Sequence, residues 1–582
     1  MKKRTNFAAA ILLASMMAVS TCAVTSMTAV ADTTYTITMD TTTGHTYTAY
    51  QVFTGTLHED TSTTPTTKTL SDITWGNGVN SSALVNALTS DSTYGTAFNT
   101  ALAGKTTDAE KAAAVAAKLA TYTNTSDVKA LAKIIAANTT GSGTNSSGTT
   151  IGSLSAGYYL IKDTTASSSM PNGNTYSEFM LEVVSDVSVT AKDETVTSDK
   201  KVTDANDSTG TTEANKETAD YDIGDDVPYV LTFTLPAKYA EYSKYPITFT
   251  DDMCAGLTYN GDAKIYYGES DTTGASITLS PVTGTEYTGT PAGQKYTYSI
   301  TDLKADQASA DTGSALKSLT AGSVIRIEYT AKLNGNAVVG NAGNPNKYNV
   351  TFANDPTWKP ASETDTTPPP TGNTPPVTNT VFTYKLVVNK TDGTSALTGA
   401  DFDLYKFVEQ DTTGMTDEQK TAAGIISETI GGTATEGKWV VVTALNTGSV
   451  NPTKTKTASG TVENSVFTFS GIDDGVYKLV ESTTPDGYNT IEPIIFTVTP
   501  ADDGKLTNDE SGSETVNLGG VSFTLSNSNG SLSGNVINNQ GTILPSTGGI
   551  GTTIFYVVGG TLVAGAVVLL ITKKRMNTPD QK

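Results

Sequence analysis

Apolar and polar residues alternate with a period of two in a series of short runs along this 582-residue chain. The series opens with Tyr35-Thr36-Ile37-Thr38-Met39 and Tyr47-Thr48-Ala49-Tyr50-Gln51-Val52-Phe53. After a Gly/Ser/Thr loop at 141–150, short apolar runs that also read as strands follow at 157–161 and 179–184. Short runs of this kind, bounded by turn residues, predict half-buried strands. One region breaks the period: Thr107 and Glu110 form a capping box ahead of 112–120, and a second helical stretch covers 127–137. The chain is therefore expected to be mostly β, with helices inserted into its first unit.

The remaining runs fall into two groups, at 227–233, 247–250, 324–329 and 348–352, then at 384–388, 402–405, 467–469, 477–480 and 494–498. Many short strands with Gly and Asn turns predict tandem immunoglobulin-like β-sandwiches. Between the groups lies a Thr/Pro stretch with Pro368-Pro369-Pro370 and Pro375-Pro376, whose composition predicts a stiff polyproline II spacer. The expected domains are 32–186 (a β-sandwich with the helical insert), 187–359 and 382–543, with 360–381 as a linker.

Alternation gives way to continuous apolar runs at both ends. Lys2-Lys3-Arg4 precedes an apolar stretch at 7–19, and Ala29-Val30-Ala31 before Asp32 fits a leader-cleavage site, so 1–31 reads as a signal peptide. Cys22 follows Thr21, too large for a lipobox, and reads as lost with the leader. At the other end 552–571 is long enough to span a bilayer, and Lys573-Lys574-Arg575 would stop it on the cytoplasmic side.

The formal charge is −22, and trimming both cationic ends makes the remainder more acidic still. Such a surface disfavours nucleic acid as a partner. Beyond the leader the single cysteine is Cys254, so no intrachain disulfide can form. There are two histidines, His45 and His58, and no H-E-x-x-H, G-x-S-x-G, Walker loop or C-x-x-C. No enzyme, cofactor or metal site is expected. The acidic pairs Asp225-Asp226 and Asp502-Asp503 read as solvated turns.

Leu544-Pro545-Ser546-Thr547-Gly548, followed by the apolar span and the basic tail, resembles the cell-wall sorting signal of Gram-positive surface proteins. The resemblance implies that a sortase cuts between Thr547 and Gly548 and passes Thr547 to an amine, so that the span is a temporary anchor. Leu479-Val480-Glu481-Ser482-Thr483-Thr484-Pro485-Asp486-Gly487-Tyr488 resembles the E-box of Cna B-type domains in sortase-assembled pilins. Near the start of that domain Leu386, Val388 and Lys390 share a strand face, and near its end Val536 and Asn538 do. Burial lowers a lysine pKa and raises that of a carboxyl, which leaves a nucleophilic amine beside an acid. The resemblance implies a self-made Lys–Asn isopeptide bond, with Lys390 as nucleophile, Asn538 as electrophile, Glu481 as catalyst, and Asn539 as the alternative electrophile.

The second domain is expected to repeat the plan. Val196, Lys200 and Val202 share a face, as do Val350, Phe352 and Asn354. The segment 249–259 resembles the acid-bearing part of fimbrial isopeptide-forming domains. Lys200, Asp251 and Asn354 are the expected members, with Lys201 and Asp252 as alternatives. The first domain has Lys162 where an E-box would have glutamate, and no bond is expected there. Lys192, at the junction of domains one and two, stands where backbone pilins carry the lysine that attacks the sortase acyl-enzyme. The resemblance as a whole is to the backbone (major) subunit of a sortase-assembled pilus, exported, joined head to tail to other copies of itself and anchored to peptidoglycan. It implies adhesion as the purpose, with tip and base pilins and a host or matrix receptor as further partners. The alternatives are a monomeric wall-anchored adhesin and an ancillary pilin.

Overall fold

The computed structural model describes residues 28–29, 33–40, 44–60, 67–190, 194–282, 293–360, 365–442, 455–456, 465–506, 515–518, 521–524 and 530–540. Lys192 and the sorting motif Leu544, Pro545, Ser546, Thr547 and Gly548 lie outside them, as does the 552–571 span.

In the first domain, strand Tyr47–Asp60 pairs with Thr67–Trp75 and with Gly157–Asp163, which pairs with Glu178–Val183. A second sheet places Tyr35–Asp40 between Thr150–Leu154 and Val187–Thr190. The predicted helices are α3 (Asp108–Leu119), closed by the Thr107/Glu110 capping box, and α4 (Thr125–Ala136). Two more, α1 (Ser81–Ser90) and α2 (Gly95–Leu102), escaped the sequence reading. Their Ser/Thr/Asn-rich sequences have weak helical preference. What holds α1 is a four-residue spacing that buries Leu84 and Leu88, with Asn80 as cap.

The second domain is a sandwich of two sheets. One contains Ser198–Asn206, Asp226–Thr234, Val324–Leu333 and Lys264–Tyr267; the other contains Val377–Phe382, Asn344–Ala353, Ile247–Met253 and Gln294–Ile300. The Thr/Pro segment is not the free spacer expected. Thr371–Asn373 and Val377–Phe382 both pair with Asn344–Ala353, so this domain extends to 382. The prolines lie just before these strands, where a missing N–H costs no ladder bond, and Val377, Asn379 and Val381 give the alternation.

The third domain packs a sheet of Val466–Ile472, Tyr384–Thr391 and Ser531–Ile537 on another of Thr433–Val441, Asp401–Glu409, Gly475–Thr483 and Ile494–Val498. Its first and last strands are parallel neighbours, with Lys390 opposite Val536.

Domains two and three are clasped by a fully buried lysine. Lys406 donates to Asp207 (2.8 Å) and Asp222 (3.0 Å) of domain two and to Asp473 of its own domain. Around it the backbone N–H groups of Asp473 and Asp474 donate to Asp222 and Asp220, and Ser208 donates to the Phe407 carbonyl. Burial and facing carboxylates push Asp225 up to about 7 and Asp474 to about 6, and hold Asp220 and Asp473 well above the usual carboxylate range. Carboxyls raised in this way bind more protons in the docked state. Their contribution is fully present in acid and is lost as pH rises through about 6 to 7. Two outcomes follow for the soluble ectodomain. Its thermal midpoint should rise as pH falls from 8 to 5.5; a fall would contradict the clasp. Lys406→Met, which strands the carboxylates, should cost about 3–5 kcal/mol by denaturant titration at pH 7.5.

Candidate functional site: buried lysine–carboxyl–asparagine clusters

The strand Tyr384–Thr391 turns Tyr384, Leu386, Val388 and Lys390 inward, and all four are solvent-inaccessible. Its parallel partner turns Leu532 and Val536 inward, and Asn538, one step further, is fully buried. Parity and register together bring the two side chains into contact: Lys390 Nζ is 2.6 Å from Asn538 Oδ1 and 3.1 Å from the Val536 carbonyl. Glu481 reaches across from the opposite sheet. Asn538 Nδ2 donates to its Oε1 at 2.8 Å and its Oε2 at 3.1 Å. The Ile491 N–H (3.1 Å) fixes the carboxylate from behind. Burial pushes the Lys390 amine down to about 8, against the pull of Glu481 and Asp392. Asn539 is exposed, so the alternative electrophile falls away.

In the second domain Lys200 is also solvent-inaccessible. Its Nζ donates to Asp251 Oδ1, lies 3.3 Å from the Tyr329 hydroxyl and sits 4.8 Å above the Tyr229 ring. Burial pushes this amine down to about 8 as well, with Asp251 opposing. Lys201 faces outward to Glu217 and Asp199, and Asp252 turns toward Lys295, so neither alternative enters the cluster.

The asparagine differs from expectation. Asp251 stands opposite Tyr348 and Ile247 opposite Phe352, so Asn354 lies about six residues, or ~20 Å, along the ladder from the carboxyl. Asn354 belongs instead to the seam with domain one, where its carbonyl accepts from the Tyr176 N–H at 2.8 Å. The cluster's asparagine is Asn346. It stands opposite Met253, diagonal to Asp251, is fully buried, and donates from Nδ2 to the Tyr329 hydroxyl at 2.8 Å. Asn346 and Asn354 share one strand face, so alternation alone could not choose between them.

Lys406 is the third fully buried lysine, and its electrostatics are opposite. Burial alone would push the amine down, but Asp222, Asp473 and Asp207 outweigh it and hold the pKa well above the ordinary value. Asp207, Asp222, Asp225 and Asp473 converge closely enough to hold a metal ion, and the Lys406 ammonium supplies positive charge there. Lys390 thus lies beside an amide and an acid, Lys200 lies beside an acid and the hydroxyl that Asn346 also meets, and Lys406 is held as an ion. In the first domain no lysine is buried among the described residues.

Residues 384–511 match the SpaA prealbumin-like fold domain, and 538–578 match the LPXTG cell wall anchor motif. The chain is therefore a cell-wall surface protein of Gram-positive type with a carboxy-terminal prealbumin-like domain. It is similar to the trypsin-resistant surface T6 protein of Streptococcus pyogenes serotype M6, at 25% identity over 404 residues, covering 65% of this chain and 68% of that protein. Among solved structures it is similar to the T6 backbone pilin of the same serotype, at 18% identity and TM-score 0.42, covering 88% of this chain and 100% of that one. It is also similar to the major pilin SpaD of Corynebacterium diphtheriae, at 16% identity and TM-score 0.40, covering 88% and 98%.

The two asparagines of the second domain can be separated by mass spectrometry. Asn346→Ala should abolish any covalent link from Lys200, whereas Asn354→Ala should leave it in place. The reverse pattern would restore Asn354 as electrophile.

Proposed function

We infer that this chain is the major subunit of a sortase-assembled pilus, a structural protein of the cell wall that is processed at its LPXTG motif and polymerised with other pilins. The finer reading is that Thr547 of one subunit is joined to Lys192 of the next, and that the last subunit is passed to peptidoglycan. A heterologous contact that does not close gives a filament. The observation that carries the structural half of this reading is the Lys390–Asn538–Glu481 cluster, in which three buried polar groups meet with an amine at the amide and an acid at its nitrogen.

In the reactive distribution the proton sits on the carboxyl and the amine is neutral. The Lys390 nitrogen attacks Cγ of Asn538, the C–N bond forms, and the Cγ–Nδ2 bond breaks. Glu481 lies against Nδ2, the departing atom, so it delivers a proton to the leaving ammonia and recovers one from the Lys390 nitrogen. Each cluster turns over once, and the protein is its own substrate. Lys200, Asp251 and Asn346 carry out the same condensation in domain two.

The two bonds would bear load differently. In domain three the link joins neighbouring parallel strands across 148 residues, removing about 5 kcal/mol of unfolded-state freedom. Tension entering at Tyr384 and leaving beyond Asn538 passes through the amide and spares the sheet. In domain two the link crosses from one sheet to the other, because Lys200 and Asn346 lie on opposite layers. Thr371–Asn373 and Val377–Phe382 lie outside that loop and are held by pairing with Asn344–Ala353 and by burial of Val381 in the core.

A wall-anchored monomeric adhesin or an ancillary pilin would share both clusters and the anchor, but would not use Lys192. Two measurements test the reading. The ectodomain's intact mass should lie about 34 Da below the sequence mass, for two ammonia molecules lost; an unchanged mass contradicts both bonds. Boiled wall extracts should show a ladder on blotting that collapses in Lys192→Ala; a ladder that survives removes Lys192 from the assignment.

A further inference from the structure

We propose that the Tyr329 hydroxyl is a catalytic proton relay in the second-domain condensation, bridging Asp251 to the departing nitrogen of Asn346. The inference rests on the isopeptide reading of that cluster and adds a fourth member to it.

The argument comes from comparing the two clusters. In domain three the acid is a glutamate, and its oxygens lie 2.8 and 3.1 Å from Asn538 Nδ2. In domain two the acid is an aspartate, one methylene shorter, and both of its oxygens are engaged elsewhere: Oδ1 accepts from Lys200 and Oδ2 accepts from the Tyr329 hydroxyl. The asparagine nitrogen meets the same hydroxyl at 2.8 Å. The phenol therefore occupies the place that a longer acid fills in the other domain, and it lies within 3.3 Å of the attacking amine. It is held there rigidly. Tyr329 is buried on the Val324–Leu333 strand, directly opposite Tyr229, and the two rings stack at 5.3 Å. Burial first, then the nearby Asp251, keeps the phenol's pKa well above its ordinary value, so it works as a neutral hydroxyl able to give one proton and take another.

The step balances as follows. The neutral Lys200 amine attacks Cγ of Asn346 and loses one proton to Asp251 Oδ1. Asp251, entering the step with its proton on Oδ2, passes that proton to the Tyr329 oxygen. Tyr329 passes its own to Nδ2 as the Cγ–Nδ2 bond breaks. Ammonia leaves, an amide remains, and Asp251 and Tyr329 each end with the number of protons they began with. Both hydrogen bonds of the hydroxyl reverse direction during the step.

The test uses the soluble ectodomain of Tyr329→Phe, followed by intact mass after pulse expression. The third-domain cluster is an internal clock in the same molecule. The first ammonia should leave at the wild-type rate, and the second should be slowed about 100-fold or more, the ordinary range for loss of acid–base help. Loss of both at wild-type rates would overturn the relay. The double variant Asp251→Glu with Tyr329→Phe supplies the missing methylene and should regain most of the lost rate; a double variant as slow as the single one would also overturn it, and guards against a mere packing defect. If the wild-type protein itself never loses its second ammonia, the failure lies in the second-domain cross-link and not in the relay.

Discussion

An amine removed from water is tolerated in one of two ways. It can give up its proton, or it can keep it beside enough negative charge. This protein uses both. Lys200 and Lys390 each have one carboxyl within 4.0 Å, too little to offset burial, and both are pushed down to about 8. Lys406 faces three carboxylates and stays an ammonium. The carboxylates within reach thus separate two amines of lowered pKa from one ionic clasp. On the cross-links proposed above, strength within domains two and three and coherence between them follow from that difference.

The division suits the fibre inferred above. Within a domain of such a fibre the load is fixed and the strand order never changes, so the proposed irreversible amide would be an advantage. Between domains two and three the joint is a protonatable cluster with direct backbone bonds, such as the Ile223 N–H to the Gly471 carbonyl at 3.0 Å. A joint of that kind can open and reclose under stress without chemistry. Domain one has neither device among its described residues. It is tied to domain two by Lys129 and Glu241 at 2.8 Å, by Lys133 donating to the Pro356 carbonyl at 2.9 Å, and by backbone bonds such as Tyr176 N–H to the Asn354 carbonyl.

Much of this was legible in the residues. The β character and the capping box at Thr107 followed from alternation and motif, and the Lys390/Glu481/Asn538 set from the E-box resemblance; in domain three the two strands are adjacent, so side chains of matching parity meet. Domain two needed register, and strand pairing is not written in a period of two; hence Asn354 was read where Asn346 stands. The Thr/Pro stretch misled by composition, since its prolines flank strands instead of filling a spacer. Lys406 did carry a signal. It shares a face with Phe402 and Leu404, as Lys390 does with Leu386 and Val388. What no local pattern could supply was Asp207 and Asp222, which come from another domain.

Peptide mapping of the mature protein tests the central claim most directly, because all three lysines are read in one digest. The account predicts branched peptides joining Lys200 to Asn346 and Lys390 to Asn538, and an ordinary linear peptide around Lys406. Linear peptides at the first two lysines, or a branch at Lys406, would contradict the idea that neighbouring carboxylates decide which buried amines react.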